Sequence, residues 1–238
     1  NCNTAIGCGS LGGNTTASDN TAVGFDSLKA NTTGANNTAI GKIALCANTT
    51  GSCNVAIGVE AMDSNTTGGG NVGIGTDSLQ GNTEGSSNVS IGDDTMKTNS
   101  TGTQNTAVGA AALCTNSTAS NNTAIGYLAL CSNTTADNNT SIGVSSLRAN
   151  TTGTSNVAVG NNALKTQTTA DGNTALGSDT LCTITSGAGG NTAVGQKALE
   201  DDTTGFYNTS VGSLSLCQNT EGSCNVAIGR EALRNNTT

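Results

Sequence analysis

The chain consists of one short repeat. An asparagine and one further residue, Thr or Val, are followed by a small residue, then by Ile, Val or Leu, and then by Gly. This pattern occurs in fourteen copies spaced 17 residues apart, with a single step of 18. The longer copy, residues 173–190, is extended in a Gly/Ser-rich segment, where a loop accommodates an insertion at little cost. The copies begin at Asn3, Asn20, Asn37, Asn54, Asn71, Asn88, Asn105, Asn122, Asn139, Asn156, Asn173, Asn191, Asn208 and Asn225. This spacing predicts a single repeat array over residues 1–238.

Each position of the repeat has its own residue type. Counted from the asparagine as position 1, position 4 is always Ile, Val or Leu, position 5 is always Gly, and position 9 is always Leu or Met. Positions 3 and 8 are always small and uncharged. Alternation along a strand predicts that positions 4 and 9 fill the interior while positions 3 and 8 face away. We interpret the small residues either as corners that exclude bulk or as a face packed closely on another copy.

A 17-residue unit is too short for a helical-hairpin repeat, which needs about 33 to 47 residues. It suits one coil of a β-solenoid, with strands of about three residues, a bend at the glycine, and parallel stacking at roughly 4.8 Å per coil. The chain has no Pro, as expected where each strand N–H bonds to a neighbouring coil. Aromatic residues make up only 2% of the chain, so the interior is narrow. We predict an all-β fold, a parallel β-solenoid of about fourteen coils.

The segments "NTAIG", "NVAIG" and "NTAVG", followed after two residues by Ala-Leu or Ser-Leu, resemble the head repeats of trimeric autotransporter adhesins and related repeats of phage tail fibres. The resemblance covers the whole chain. It implies a left-handed parallel β-roll, three chains side by side, and a role in projecting from a surface and binding other surfaces. The present repeat is longer and contains cysteine.

Composition argues against several function classes. The chain has no His, and its carboxylates fall on positions expected to be exposed, so we expect no enzyme activity and no cofactor. A formal charge of −8 with scattered Lys and Arg disfavours nucleic acid. No run of about 18 apolar residues is present that would span a membrane.

The sequence therefore predicts a structural extracellular fibre or a surface-adhesion segment, on a cell surface or a virion. Its expected partner is itself, as a homotrimer or an end-to-end polymer, with a surface ligand or glycan in addition. Because the chain enters its repeat at position 16 and leaves it at position 14, we expect a segment of a longer fibre. One alternative is an ice- or lattice-binding solenoid, although Val replaces Thr in several copies at position 2. Another is a glycan-coated surface fibril.

Two sets of asparagines are candidate functional residues. Those at position 1 are predicted to form a side-chain amide ladder from coil to coil, represented by Asn37, Asn54, Asn105 and Asn122. Most of those at position 12 satisfy the N-x-Ser/Thr rule for glycan attachment, although turn formation is the default interpretation. These candidates are Asn14, Asn31, Asn48, Asn65, Asn99, Asn116, Asn133, Asn150 and Asn236.

Acidic residues recur at position 7 of three successive copies, as Glu60, Asp77 and Asp94. Stacked carboxylates at one-coil spacing are a candidate Ca²⁺ site, since Ca²⁺ prefers oxygen ligands. A solvated acidic face is the alternative.

The nine cysteines suggest disulfides. Cys46 with Cys53, and Cys217 with Cys224, occupy positions 10 and 17 of one copy, which predicts an intra-coil staple around about eight residues. Cys114 and Cys131 share position 10 of consecutive copies, where stacking would bring their Cα atoms to roughly 4.8 Å and allow a cross-link. Cys2, Cys8 and Cys182 are left without an assigned partner. The alternative is that all are thiols serving as small apolar filler.

Overall fold

The computed structural model describes residues 2–185 and 187–237, and the chain divides into two compact units, Asn1–Ser120 and Asn121–Thr238. Within the described residues the regular elements are fourteen three-residue β-strands, and there is no helix. The predicted all-β parallel solenoid is confirmed in each unit. Whether residues 1–238 act as a single array stays a prediction.

The first unit stacks seven strands in chain order, each paired in parallel with the next. Pairing is in strict repeat register, so that Thr38 lies beside Val55 and Ile40 beside Ile57. The strands are β1 Thr4–Ile6, β2 Thr21–Val23, β3 Thr38–Ile40, β4 Val55–Ile57, β5 Val72–Ile74, β6 Val89–Ile91 and β7 Thr106–Val108.

The second unit repeats this arrangement with seven further parallel strands. The 18-residue copy keeps the register, because β11 still pairs residue for residue with β12. The strands are β8 Thr123–Ile125, β9 Thr140–Ile142, β10 Val157–Val159, β11 Thr174–Leu176, β12 Thr192–Val194, β13 Thr209–Val211 and β14 Val226–Ile228.

The extra residue lies between Thr185 and Ala188. The Thr185 N–H still bonds to the Thr203 carbonyl of the next coil, at 3.2 Å, as position 13 does elsewhere. The Ala188 carbonyl accepts the side-chain amide of Asn173, as the position-15 carbonyl does in the other coils. The insertion is therefore confined to the Gly/Ser-rich segment where the sequence predicted it.

Hydrogen bonds between coils continue beyond the strands. The Leu45 N–H donates to the Ala61 carbonyl at 2.9 Å, and the Thr49 N–H donates to the Thr66 carbonyl at 2.9 Å. These bonds connect turns at the same repeat positions, so each coil is joined to the next on several sides. A coil made of 17 residues therefore gains its order mainly from its neighbours.

The predicted orientation of the side chains is wrong. Position 3, such as Ala39 and Ala56, is fully buried, and so is position 8, such as Ala44. Position 9 is also inside, as predicted, whereas position 4 points outward and Ile40 remains 39% exposed. The interior is so narrow that only Gly, Ala, Ser and Thr occur beside the Leu or Met of position 9. Positions 3 and 8 are therefore small because they line the core, and they are not a face for another chain.

The turns depend on left-handed backbone at residues other than glycine. Positions 7, 9 and 17 have positive φ in nearly every coil, as at Asp26 (φ 53°), Leu28 (φ 51°) and Asn36 (φ 59°). Such conformations are costly for residues with a Cβ and persist only when the surrounding structure fixes them. The bonds between coils supply that constraint.

Candidate functional site

The outer surface of each unit's sheet is formed by two ranks of residues. We call it the sheet face. Because position 3 points inward, positions 2 and 4 on either side of it point outward, which the burial pattern along the strands reflects. In the first unit it comprises Thr4, Thr21, Thr38, Val55, Val72, Val89 and Thr106, with Ile6, Val23, Ile40, Ile57, Ile74, Ile91 and Val108. In the second it comprises Thr123, Thr140, Val157, Thr174, Thr192, Thr209 and Val226, with Ile125, Ile142, Val159, Leu176, Val194, Val211 and Ile228.

The sheet face carries no charge and consists of Thr, Val, Ile and one Leu. Exposed apolar residues at position 6 extend it around the corner in some coils, namely Phe25, Val59, Tyr127 and Val144. The side chains of the sheet face range from half-buried to exposed. A continuous, uncharged and largely apolar surface of this kind on each unit is typical of a surface that contacts another surface.

The asparagines at position 1 are buried and bonded from coil to coil, and the predicted amide-to-amide bond is present between some of the coils. The Asn54 Oδ1 accepts the backbone N–H of Asn71 at 2.9 Å, and the Asn54 Nδ2 donates to the Gly68 carbonyl of its own coil at 2.9 Å. Asn37 has the same pair of bonds. Asn105 and Asn122 likewise donate to the position-15 carbonyl. The position-1 side chains therefore fix the backbone of the next coil, and in addition the Asn105 Nδ2 donates to the Asn88 Oδ1 at 3.2 Å, as the predicted ladder requires. The same amide-to-amide bond joins Asn88 to Asn71 and Asn156 to Asn139, each at 3.2 Å.

A second amide-to-amide ladder lies at position 12. The Asn82 Nδ2 donates to the Asn65 Oδ1 at 2.7 Å and to the Gly85 carbonyl at 2.9 Å, and the Asn82 Oδ1 accepts from the Asn99 Nδ2 at 2.8 Å. Each amide thus bonds one coil on either side and also its own turn. These residues are fully buried.

The burial of the position-12 asparagines also bears on the predicted glycosylation. The ladder contains Asn31, Asn48, Asn65, Asn99, Asn116, Asn133 and Asn150, all 0% exposed, and the end-coil candidates Asn14 and Asn236 are half-buried. A glycan replaces a hydrogen of the side-chain amide, and in the ladder that nitrogen is already engaged in two hydrogen bonds inside the coil. Glycan attachment at these residues stays a prediction, and the fold gives it no support.

Some exposed asparagines in N-x-Thr glycan-acceptor triplets were not recognised from the sequence. Asn36, Asn121 and Asn138 occupy position 17, each followed by Asn and Thr, and all three are exposed with positive φ. Asn235 is also exposed and precedes Asn and Thr. Scanning every N-x-Thr triplet, rather than the recurrent "NTT", would have found them.

The acidic column at position 7 is paired with other side chains. The Lys97 ammonium lies 2.9 Å from the Asp77 Oδ2 and 2.7 Å from the Asp94 Oδ1. The Gln80 amide donates to the Glu60 Oε2 at 3.0 Å. Within residues 2–185 and 187–237 no group of three His, Cys, Asp or Glu residues is arranged to hold a metal ion. The calcium hypothesis at Glu60, Asp77 and Asp94 is therefore not supported.

No disulfide is found among the described residues, so the predicted intra-coil staples are not supported. Cys46, Cys53, Cys217 and Cys224 are thiols, and Cys53 and Cys224 are exposed. Partial burial raises the pKa of the Cys46 and Cys217 thiols, and nearby carboxylates, Asp26 and Glu200 respectively, raise it further. Both groups are therefore poor thiolates at neutral pH.

The remaining cysteines give a mixed result. Cys114 belongs to the first unit and Cys131 to the second, so their cross-link stays a prediction. Cys2 and Cys8 are exposed thiols, and burial raises the pKa of the partly buried Cys182.

One member of the position-12 column is a carboxylic acid. Asp202 is 0% exposed, its Oδ1 accepts the Gly205 N–H at 2.9 Å, and its Oδ2 has no hydrogen-bond partner among the described residues. Burial raises the pKa of Asp202 to about 6, although the bond from Gly205 acts in the opposite direction. The folded second unit therefore binds a proton there that the unfolded chain releases near pH 4.

We expect the stability of the second unit to decrease as pH rises from about 4 to about 6, because the folded state holds the Asp202 proton over this range and the unfolded state does not. Asp202→Asn should remove this dependence and raise the free energy of unfolding at pH 7 by roughly 2 to 3 kcal/mol, with little change at pH 4. Urea unfolding at both pH values measures this. The exposed neighbour Asp201→Asn is the matched control, and equal effects of the two substitutions at pH 7 would contradict the assignment.

Comparison with known proteins adds no relative: no family model matches the chain, and neither the curated proteins nor the solved structures contain a match. Among the described residues, no helix has the length and apolarity needed to cross a membrane. Functional inference therefore rests on the geometry.

Proposed function

We propose that the chain is a structural or adhesive segment of an extracellular fibre, which self-associates through the sheet face. The observation that carries the proposal is the uncharged, aliphatic outer surface of each seven-stranded sheet. Every Lys, Arg, Asp and Glu lies outside positions 1–5 of the repeat. Covering the aliphatic ranks with another copy would remove apolar surface from water without burying a charge.

The resemblance of "NTAIG" and "NVAIG" to adhesin heads and tail-fibre repeats supports association of parallel copies and a place on a cell surface or virion. The extracellular location is proposed on this resemblance alone, since the staple cysteines are thiols. The small residues of positions 3 and 8 no longer support association, because they lie inside the coil.

Self-association is tested by placing a charge on the sheet face. Ile57→Lys should convert the associated protein to a monomer in sedimentation equilibrium, because the ammonium would have to be buried between copies without a partner. Thr67→Lys, in the same coil but exposed at position 14, adds the same charge away from the sheet face and should leave association unchanged. A wild-type chain that is monomeric at every concentration, or equal dissociation by both variants, would overturn the proposal.

A lattice-binding function is the second candidate, and one observation favours it. The two outward ranks form a regular array with spacings of roughly 4.8 Å between coils and roughly 6.6 Å between positions 2 and 4. The array is made largely of Thr, Val and Ile rather than Thr alone. Thermal hysteresis in the wild type, lost in Ile57→Lys but kept in Thr67→Lys, would favour ice binding over self-association.

A further inference from the structure

A cavity lies on the position-17 edge of the second unit, away from the sheet face. Two successive coils have glycine at position 17, Gly172 and Gly190, where many others carry a side chain. A Cβ placed on Gly172 would meet no atom within 4 Å. The 18-residue coil adds Gly187 and Gly189 to the same edge. The missing side chains leave a depression with a backbone floor.

The two ends of this depression differ in chemistry. At one end the rings of Phe206 and Tyr207 meet edge to face, with centroids 5.6 Å apart. The Tyr207 ring lies over Gly190, where an added Cβ would come within 2.6 Å of the ring's Cε1. At the other end the Asp171 Oδ1 accepts from the Thr154 N–H at 2.6 Å and from its hydroxyl at 3.0 Å.

The depression is open to solvent and has a volume of about 610 Å³, within the usual range for small-ligand sites of about 300 to 1,000 Å³. Phe206 is 45% exposed and Tyr207 is 67% exposed, so the aromatic end offers apolar surface to a ligand. Asp171, Thr154, Ser155 and the glycine backbone offer hydrogen-bonding groups. Among the described residues that line the cavity there is no Lys or Arg, which disfavours an anionic ligand.

The aromatic pair is specific to this place. The chain has only two Phe and two Tyr, and two of these four residues are adjacent here. The first unit contains a comparable run, Gly68–Gly69–Gly70, but its neighbouring coils have Ser52 and Cys53 on one side and Ser86 and Ser87 on the other. A glycine gap thus occurs in both units, and only the second has an aromatic wall beside it.

From these features we propose that the Phe206–Tyr207 cavity binds an uncharged sugar ring, the hydrophobic face of which packs on the aromatic pair while its hydroxyls bond to Asp171, Thr154 and exposed backbone groups. A pyranose combines an apolar C–H face with a rim of hydroxyls, which matches an aromatic wall facing a polar one. This proposal goes beyond the fibre function and is independent of it, because the cavity is not on the sheet face.

The two tyrosines permit a direct test. With tyrosine rings labelled with ¹³C, the full-length chain gives two sets of signals, which a Tyr127→Asn variant assigns. Titration with cellobiose and, separately, with N,N′-diacetylchitobiose, up to about 20 mM, should shift the Tyr207 signals and leave those of Tyr127 in place, since a millimolar site would be nearly saturated there. The two disaccharides distinguish a hexose site from an N-acetylhexosamine site.

A variant removes one of the two rings of the aromatic wall at a position where the new residue suits the backbone. Tyr207→Asn should bind at least about tenfold more weakly, measured on the ligand signals, and should fold, because Asn has the same positive φ at position 17 in Asn36 and Asn138. Tyr127→Asn should bind as the wild type does. The absence of a Tyr207 shift with either disaccharide would overturn the proposal. So would equal binding by Tyr207→Asn, or a larger Tyr207 shift with choline, which would assign the aromatic pair to a cation instead.

Discussion

Gly58→Ala is expected to lower the free energy of unfolding of the first unit by about 3 to 5 kcal/mol. Gly58 has φ 141°, a region closed to residues with a Cβ, and an added Cβ would lie 2.6 Å from the carbonyl carbon of Gly75 in the next coil. The atom it would strike belongs to the backbone, so no side chain can move aside. The strain and the overlap both oppose the stacking of one coil on the next.

The matched control is Gly70→Asn in the same coil. Gly70 also has positive φ, at 69°, but asparagine occupies the same position and conformation at Asn36, and the nearest atom to an added Cβ is 3.9 Å away. We expect a change within about 1 kcal/mol. Thermal unfolding followed by circular dichroism measures both. A similar loss of stability in the two variants would show that the close contact between the position-5 glycines of adjacent coils is not what stabilises the stack.

Asn82→Ala is expected to cost roughly 2 to 4 kcal/mol, since it removes three hydrogen bonds at once inside the position-12 ladder. The Asn65 Oδ1 and the Asn99 Nδ2 would each lose a hydrogen-bond partner in the interior, where water does not replace it. Unfolding in urea measures the loss. Glu84→Ala, exposed at position 14 of the same coil, should change the stability by less than about 0.5 kcal/mol.

A second variant separates the ladder from simple packing. Asn82→Asp preserves the shape but replaces a donor by a charged acceptor beside the Asn65 Oδ1 and the Gly85 carbonyl. The substitution should destabilise the fold at neutral pH, and stability should recover in part in acid, when the carboxyl introduced by Asn82→Asp is protonated. An Asn82→Asp variant as stable as the wild type at pH 7 would contradict the ladder.

The sequence predicted the architecture because the repeat dictates it. A 17-residue period, an unvarying glycine and the absence of proline leave few folds other than a stacked β-coil. The place of the insertion was also readable, from the Gly/Ser-rich segment before Asn191. These features act locally and identically in each copy, so one coil suffices to infer the rest.

The orientation of the strands was not readable from the same pattern. The Ile, Val or Leu of position 4 was interpreted as core and the small residues of position 3 as facing away from it, which the structure reverses at Ile40 and Ala39. Hydrophobicity alone predicts that the larger aliphatic residue is buried and the smaller residue exposed. The opposite occurs here because the coil is too narrow for the larger side chain at position 3. An unvarying aliphatic rank that faces outward is in turn what points to a contact surface.

The contacts of the candidate site residues were not readable from the sequence for a related reason. Neighbours in a solenoid are separated by a whole coil plus a few residues, so Lys97 pairs with Asp77 across 20 residues of sequence. The position-12 asparagines were interpreted as turn residues or glycan acceptors because "NTT" is typical of turns, although their side chains point into the coil. The left-handed backbone conformation of Leu28 could not be predicted from its residue type, because leucine does not favour positive φ. The Phe206–Tyr207 cavity arises from glycines in two coils and aromatics in a third, and no single copy reveals it.

The most direct test of the account is a cryo-EM map of the associated protein at a resolution that shows side chains. The account predicts that the sheet faces, with Ile57 and Ile74 at their centres, lie between copies and are covered, while the position-14 residues such as Thr67 face solvent. A map in which the sheet faces are bare and the copies meet through the Asn/Thr turns would contradict it.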